Sequence, residues 1–551
     1  MKEKLTLIID EIVKEMLGTV GISEEVSFTL VIPEKEEHGD FACNAAMQLV
    51  RYLKKNPKMI AEEICSSLVE KMNGQVTVEI AGPGFINIKA AKSFFAETVI
   101  NIINDKKYFH NSIGKNKKVM VEFVSANPTG PLHIGHGRGA AYGDSVARVL
   151  AVSGYDVTKE YYVNDAGNQM NNLALSVYSR YAELTGRAED APFPEAGYHG
   201  DYIKDISEEL LKQRKDILDI DKKEALEICL DLAVKTIQKD IDDNLKEFRV
   251  EFNNYFSEKS LYEQGLIDKA LDKLSKSGKT FEQDGALWLN TSSMGDDKDR
   301  VLRKSTGEFT YFTPDIAYHQ NKYDRGNEYL VDIWGADHHG YIKRMQCALE
   351  CLNHDLSTFK VSLIQMVNLI KNGEKISMST RSGEFIPLSY LIDEVGIDAA
   401  RFFYNMRSHD AQFDFDIDLA NSKSNDNPVY YIQYAHARVH SLIANAEDKG
   451  IKYERGKGLE KALGTEEIQL IKNMIRLKYV IELAAVHLEP HRVAYHLQEL
   501  AAAFHSYYYS NKILNPEDKE LTTGRLSLCE AVAVTIKTGL EILGVSAPEK
   551  M

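Results

Sequence analysis

His133 and His136 stand one helical turn apart with Gly135 between them, inside the run KVMVEFVSANPTGPLHIGHGRG (118–139). Imidazoles at that spacing supply donors that can follow charge as it builds on a phosphate during transfer. The run around them has the parts such chemistry needs. Val119 to Val124 is an apolar stretch of strand length. Asn127, Pro128, Thr129, Gly130 and Pro131 punctuate it as a turn. Small residues after His136 then open an apolar helix that reaches Val152. A strand, a glycine-bearing loop and a helix N-terminus receive phosphate, because free amide hydrogens and the positive helix end point at it. The spacing HxGH alone fits two core histidines equally well; its place between strand and helix is what points to a nucleotide.

Two carboxylates belong with this stretch. Glu122 lies inside the apolar run, toward its carboxyl end, where a charge is costly unless a cation meets it. Asp315 closes the segment Tyr311-Phe312-Thr313-Pro314-Asp315. Thr313 as an N-cap, with Pro314 in the first turn, would fix Asp315 at a helix start. Each has a plainer reading beside the functional one. Glu122 could pair with Arg138 or Arg148, and Asp315 could be an acid favoured by the helix dipole.

The elements that must position these groups alternate in type. Strands are expected at Val119–Val124, Val157–Val163, Tyr329–Trp334 and Val361–Leu369, the first three followed by polar or glycine-bearing loops and helical stretches. That pattern predicts an α/β fold with a parallel, nucleotide-binding sheet over residues 111–390, whose ligands collect at the carboxyl ends of the strands. A charged, mostly helical section at about 170–290, including 222–248, interrupts it; its charges read as a solvated face. Residues 1–110 read as a separate α/β unit, with helices over Leu5–Leu17 and Ala42–Lys54 and strands at Val26–Ile32, Val76–Ile80 and Phe85–Ile88. Residues 391–551 read as all-helical, with aromatic clusters at Tyr430, Tyr431, Tyr434 and His436 and at His505, Tyr507, Tyr508 and Tyr509. No internal repeat and no low-complexity segment appears.

With 551 residues, 44% hydrophobic and 27% charged, the composition is that of an ordinary globular protein of several domains. No apolar run approaches the ~20 residues a membrane span needs, and the N-terminal residues do not read as a signal peptide, so the cytoplasm is the expected compartment. None of the six cysteines forms a CxxC pair, and Cys347 and Cys351 sit one turn apart like small apolar residues, so no protein-bound metal is expected. A net charge of −16 argues against a nonspecific nucleic-acid binder, while a local basic track can still hold phosphates.

The run VEFVSANPTGPLHIGHGRGAAYGDSVARVLAVSGYDV, together with HGDFACNAAM (38–47), AGPGFINIK (81–89), GADHHGYIKRM (335–345) and DEVGIDAARFF (393–403), resembles class I aminoacyl-tRNA synthetases and most closely the arginyl-tRNA synthetase family, over nearly the full chain. The resemblance implies a Rossmann-like catalytic domain, an N-terminal domain that meets the tRNA elbow, a connective insertion within the sheet, and an anticodon-binding helical domain. It implies arginine, ATP with Mg²⁺ and tRNA(Arg) as reaction partners, no DNA or membrane partner, and a monomer. Glu122, Ser125, Asn127, Tyr311 and Asp315 match the family's arginine pocket, and a planar guanidinium suits carboxylates there. His133, Gly135 and His136, with Gly335, Asp337 and His338 of the second glycine loop and Met378, match its ATP site. Tyr434 and Tyr509 are candidates for stacking on anticodon bases. The family's second signature loop aligns with Ser377-Met378-Ser379-Thr380-Arg381, where both class lysines are missing. Lys375 and Arg381 are the expected substitutes at the phosphates, with Gly373 and Gly383 as flexible flanks; Arg138 or Lys343 would be the next source of charge. Two other readings remain at this point, a small adenylyltransferase and a tRNA-binding relative without catalysis.

Overall fold

The computed structural model describes residues 2–551 apart from 32, 34–37 and 377–384. The chain forms two compact units. One comprises Met1–Tyr108, Val439–Met474 and Phe504–Val534. The other comprises Phe109–Arg438, Ile475–Ala503 and Thr535–Met551.

The first unit opens with α1 (Lys2–Gly18), β1 (Leu30–Val31), β2 (Phe41–Cys43), α2 (Ala45–Leu53), α3 (Pro57–Lys71), β3 (Val76–Ala81), β4 (Phe85–Ala90) and α4 (Lys92–Asn104). Its strands pair antiparallel in the order β1-β2-β4-β3, and Leu5, Ile9, Leu49, Ile60, Ile64, Ile86 and Ile88 share one core. The helix expected at Ala42–Lys54 is shorter because Phe41–Cys43 pairs with β4, and α2 starts only after Asn44. The strand expected over Val26–Ile32 narrows to Leu30–Val31 among the described residues.

The second unit holds β5 (Lys118–Glu122), α5 (Ile134–Val152), β6 (Asp156–Val163), α6 (Asn168–Leu184), α7 (Asp201–Gln213), α8 (Lys222–Glu247), β7 (Asn254–Ser257), α9 (Lys259–Glu263) and α10 (Leu266–Lys276). It continues with β8 (Thr280–Gln283), β9 (Ala286–Leu289), β10 (Arg300–Arg303), α11 (Phe312–Asp324), β11 (Tyr329–Gly335), α12 (Tyr341–Cys351), β12 (Phe359–Ile364), β13 (Val367–Lys371), β14 (Glu374–Lys375), α13 (Leu388–Asn405) and β15 (Phe413–Asp416). The remaining helices, α14 (Ile417–Asn421), α15 (Pro428–Asp448), α16 (Leu459–Ala462), α17 (Thr465–His487), α18 (His491–Ser510) and α19 (Lys519–Ile542), make the carboxyl-terminal part helical.

The central sheet is parallel throughout, in the order β12-β11-β5-β6-β7. From β5 the chain steps outward to β6 and β7 on one side, then returns to lay β11 and β12 on the other. The switch in direction lies between β5 and β11, so the crevice for a ligand opens at the carboxyl ends of those two strands. Glycine makes the close packing there possible: a Cβ at Gly143 would collide with the Phe123 ring.

Several expectations change here. The section at about 170–290 is not all outside the sheet, because it contributes β7 as the fifth strand. The apolar run Val361–Leu369 is two strands in two sheets, β12 in the central sheet and β13 between β14 and β15; periodicity within one apolar run cannot show where the chain changes sheet. β15 also breaks the all-helical reading after 391, pairing parallel with β13. Gly373 follows Asn372, both with positive φ, in the two-residue turn between β13 and β14. It is hairpin chemistry and not a loose flank.

Candidate functional site

His133 is the N-cap of α5, and the two histidines close a reciprocal cap. The backbone N–H groups of Gly135 and His136 donate to Nδ1 of His133 at 3.1 and 3.3 Å. The N–H of His133 donates to Nδ1 of His136 at 3.3 Å. Both Nδ1 atoms therefore act as acceptors, which leaves the ring proton of each on Nε2. The rings stack at 3.6 Å, and burial lowers both below the usual imidazole range, His136 being further lowered by His133. The site thus offers two neutral Nε2–H donors beside a helix N-terminus. Phe385, which the sequence reading did not single out, stacks on His133 at 5.1 Å. Backbone bonds from Ile134 to Ile386 (3.1 Å) and from Leu388 to Leu132 (2.8 Å) hold that segment against the helix start.

Glu122 ends β5 and stands in register with Glu160 on β6 and Asp332 on β11. Three carboxylates thus form a row across adjacent parallel strands, all on one face of the sheet. α11 answers them with residues at helical spacing, Tyr318, His319 and Lys322, followed by Arg325 at its C-cap. Lys322 Nζ reaches Glu122 at 2.5 Å and Asp332 at 2.7 Å. Arg325 and the Tyr318 hydroxyl each donate to Glu160 at 2.7 Å, and Asn254 donates to its other oxygen. His319 Nε2 lies 2.6 Å from Asp332, and its Nδ1 2.7 Å from the Asp315 carbonyl. Glu122 is therefore not bound to Arg138 or Arg148; its cation is Lys322. Arg138 is buried and donates to the carbonyls of Gln365 and Ser408, which removes it as a spare phosphate ligand. Burial and the nearby Asp332 charge raise the Glu122 carboxyl, with Lys322 offsetting part of that. Burial also pushes on Asp332, but Lys322 and His319 outweigh it and hold Asp332 below the usual range.

Beyond Glu122 the chain bends sharply. Val124 and Ser125 both have positive φ, 66° and 40°. A β-branched residue there is strained, and such strain persists only where the surroundings dictate it. The Ser125 hydroxyl donates to Glu122 at 2.9 Å and accepts from the Tyr162 N–H at 3.1 Å. Asn127 follows, its amide donating to Gln169 at 2.7 Å.

Asp315 sits in the first turn of α11, as expected, but Thr313 is not its cap. The Thr313 hydroxyl donates to the Leu302 carbonyl at 2.6 Å, and Tyr311, 74% exposed, occupies the N-cap position. The hydroxyl of Tyr341, at the start of α12, donates to Asp315. Burial nonetheless holds the Asp315 carboxyl above its usual range, against Tyr341 and His319. Glu258, just past β7, is buried. Burial raises its carboxyl to about 7, Asp315 and Asp165 push the same way, and Tyr162 partly offsets them. The buried Tyr162 hydroxyl faces Glu258 without a well-formed hydrogen bond. Neither Asp315 nor Glu258 takes part in an ion pair with a cation among the described residues. The start of α5 thus presents neutral imidazoles, while burial raises the carboxyls of Asp315 and Glu258.

Gly335 ends β11, and Asp337 and His338 follow in an exposed turn, 3.5 Å from each other. Lys375 is exposed and pairs with Asp414 at 3.2 Å. Met378, Arg381 and Gly383 lie outside the described residues. Tyr434 and Tyr509 are exposed; Tyr434 stacks with Tyr430 and lies under Arg438. Glu258, Tyr162, Tyr341, Lys322 and Asp332 were missed. For Asp332 a signal existed, since it lies inside an expected strand just as Glu122 does. For the others none did.

Three family models match the chain: an arginyl tRNA synthetase N terminal domain over residues 3–90, a class I tRNA synthetase (R) catalytic domain over 98–416, and a DALR anticodon binding domain over 432–551. The arginine–tRNA ligase 1 of Halalkalibacterium halodurans is 47% identical over 524 residues, covering 95% of this chain and 94% of its own. That of Bacillus licheniformis is 45% identical over 554 residues, covering 100% and 99%. The solved Thermus thermophilus arginyl-tRNA synthetase superposes with a TM-score of 0.72 over 98% of this chain and 99% of its own; at 22% identity it speaks for the fold. The three domain models follow one another along the chain, the relatives match it over nearly its whole length, and the chain belongs to the arginyl-tRNA synthetases of class I.

Proposed function

We propose that this chain activates L-arginine with ATP and transfers it to the terminal adenosine of tRNA(Arg). The observation that carries the proposal is the pair Asp315 and Glu258, without a cation partner, beside the sheet that also carries the histidine-capped helix. A guanidinium is a permanent cation with forked donors. On entering, it keeps Asp315 ionised and draws the proton from Glu258, and it supplies the donors those oxygens lack. Tyr311 and Tyr162 flank the fork. Ser125 and Asn127, displayed by the strained bend after Glu122, face the α-amino end of the substrate.

The arginine carboxylate attacks the α-phosphate of ATP, pyrophosphate leaves, and the arginyl-adenylate then gives its acyl group to a ribose hydroxyl of tRNA with release of AMP. No protein nucleophile takes part, so positioning and charge stabilisation carry the rate. Nε2–H of His133 and His136 donate to phosphate oxygens as charge builds. Gly135, Gly335, Asp337, His338 and Met378 hold the nucleotide, which enters as its Mg²⁺ complex. Lys375, released from Asp414, and Arg381 serve the outer phosphates. Residues 1–110 meet the tRNA elbow and 391–551 the anticodon, a division the N-terminal and anticodon binding matches support, with Tyr434 and Tyr509 exposed for base stacking. A monomeric, cytoplasmic enzyme is part of this reading, following the family resemblance.

The test is to charge bulk tRNA with each amino acid in turn in the presence of ATP. Charging with arginine alone is the expected result. Charging with another amino acid, or AMP transfer to a small acceptor without charging, overturns the proposal.

A further inference from the structure

We propose that Lys322 is a positioning residue for amino-acid binding: it holds Glu122 so that the strained Val124–Ser125 bend presents Ser125 and Asn127 to the substrate. The proposal rests on the arginine reading above and deepens it.

Each oxygen of Glu122 already has a donor from within the protein. One carboxylate oxygen accepts from Lys322 and the other from the Ser125 hydroxyl. Lys322 is wholly buried, and its ammonium is shared with Asp332, itself wholly buried. Asp332 in turn meets His319, and both nitrogens of that ring face acceptors, Asp332 and the Asp315 carbonyl. The ring thus bridges the Asp332 carboxylate and the backbone of α11. The chain of contacts runs Asp315 carbonyl, His319, Asp332, Lys322, Glu122, Ser125. It ties the helix turn that carries one wall of the pocket to the bend that carries the other.

The bend needs such support. Two consecutive non-glycine residues at positive φ store strain, and the Ser125 hydroxyl is held from one side by the Tyr162 N–H and from the other by Glu122. Without Lys322, Glu122 becomes a buried carboxylate beside Asp332 with no ammonium; it takes a proton, and its grip on Ser125 changes. The nucleotide side is fastened separately. Ile134 and Leu132 are bonded to Ile386 and Leu388, and the Tyr404 hydroxyl donates to the Ile134 carbonyl at 2.9 Å. Loss of Lys322 therefore acts on the amino acid and not on ATP.

Steady-state tRNA charging by the full chain, with arginine and ATP varied in turn, tests this. Lys322→Met is expected to raise KM for arginine at least ~10-fold and to leave KM for ATP within about twofold of wild type. Should Lys322→Met fail to fold, the charge-balanced double variant Lys322→Met/Asp332→Asn, which removes one cation and one anion together, carries the same test. A folded variant, checked by its thermal transition, in which both KM values stay within about twofold of wild type, or in which both rise together, overturns the proposal. Failure of the underlying reading shows differently: the unsubstituted protein would then not charge tRNA with arginine.

Discussion

Two groups of carboxylates sit close together in this molecule and have opposite fates. Glu160, Glu122 and Asp332 form a row across the sheet, and each meets a cation from α11 or its C-cap. Asp315 and Glu258 lie close to one another and are in no ion pair among the described residues; Asp315 accepts from the Tyr341 hydroxyl. The paired row is tied into the fold. Its charges are satisfied within the fold, and removing one partner leaves the other buried and unpaired. The unpaired two are raised toward neutrality, and in the function proposed above the substrate guanidinium completes them. Burial of an acid is thus no sign of function by itself; burial without a cation is.

The comparison breaks most visibly at Asp315. Asp315→Asn keeps shape and loses charge, and is expected to lower kcat/KM for arginine by roughly 10³-fold, the loss that follows when one partner of a desolvated charge pair is removed. Its thermal transition should stay near that of wild type, and competition between arginine, lysine and citrulline should show arginine losing its lead. An unchanged preference would take Asp315 out of the pocket.

His136→Ala and His133→Ala ask whether the imidazole wall is independent of the acid wall. Each is expected to slow adenylation by about one to three powers of ten while KM for arginine changes little. Near-normal turnover in both would place the phosphates elsewhere.

Glu258 yields a smaller effect, and one with a sign. With its carboxyl near 7 in the empty protein, the ionised fraction rises about tenfold between about pH 6 and pH 8. Affinity for arginine should rise by about that factor, and Glu258→Gln should flatten the profile. Folding runs the other way: a carboxyl raised in the folded state lowers stability as pH climbs from the ordinary carboxylate range through about 7, so Glu258→Gln should remove that slope too.

The smallest change in activity is expected at Glu160, the member of the row that pairs with Arg325 and not with Lys322. Glu160→Gln should cost about 3 kcal/mol of stability, because Arg325 loses its charged partner, with KM for arginine in the folded enzyme within about twofold of wild type. A large rise in KM without loss of stability would erase the distinction between the two groups.

Much of the frame was legible in the chain. The apolar run at 119–124, the turn residues at 127–131 and the small residues after His136 do form strand, loop and helix, because each rests on local preferences that neighbours reinforce. What failed were decisions between elements. Val361–Leu369 changes sheets partway, Phe413–Asp416 becomes a strand by pairing with a distant one, and Thr313 gives its hydroxyl to Leu302 instead of capping.

By itself the sequence determined which residues could matter: the two histidines at helical spacing, an acid at the end of a strand, another at the start of a helix. It also set Tyr318, His319 and Lys322 on one face of α11, with Arg325 following at its C-cap, since 3.6 residues per turn fixes that wherever the helix lies. Only the tertiary structure decided which acids are answered. Lys322 lies 200 positions from Glu122 in the chain, and Arg325 lies 165 from Glu160. Desolvation and charge pairing depend on distances through space, so no local pattern could say that Glu122 is held by a lysine while Asp315 and Glu258 have no ion-pair partner among the described residues.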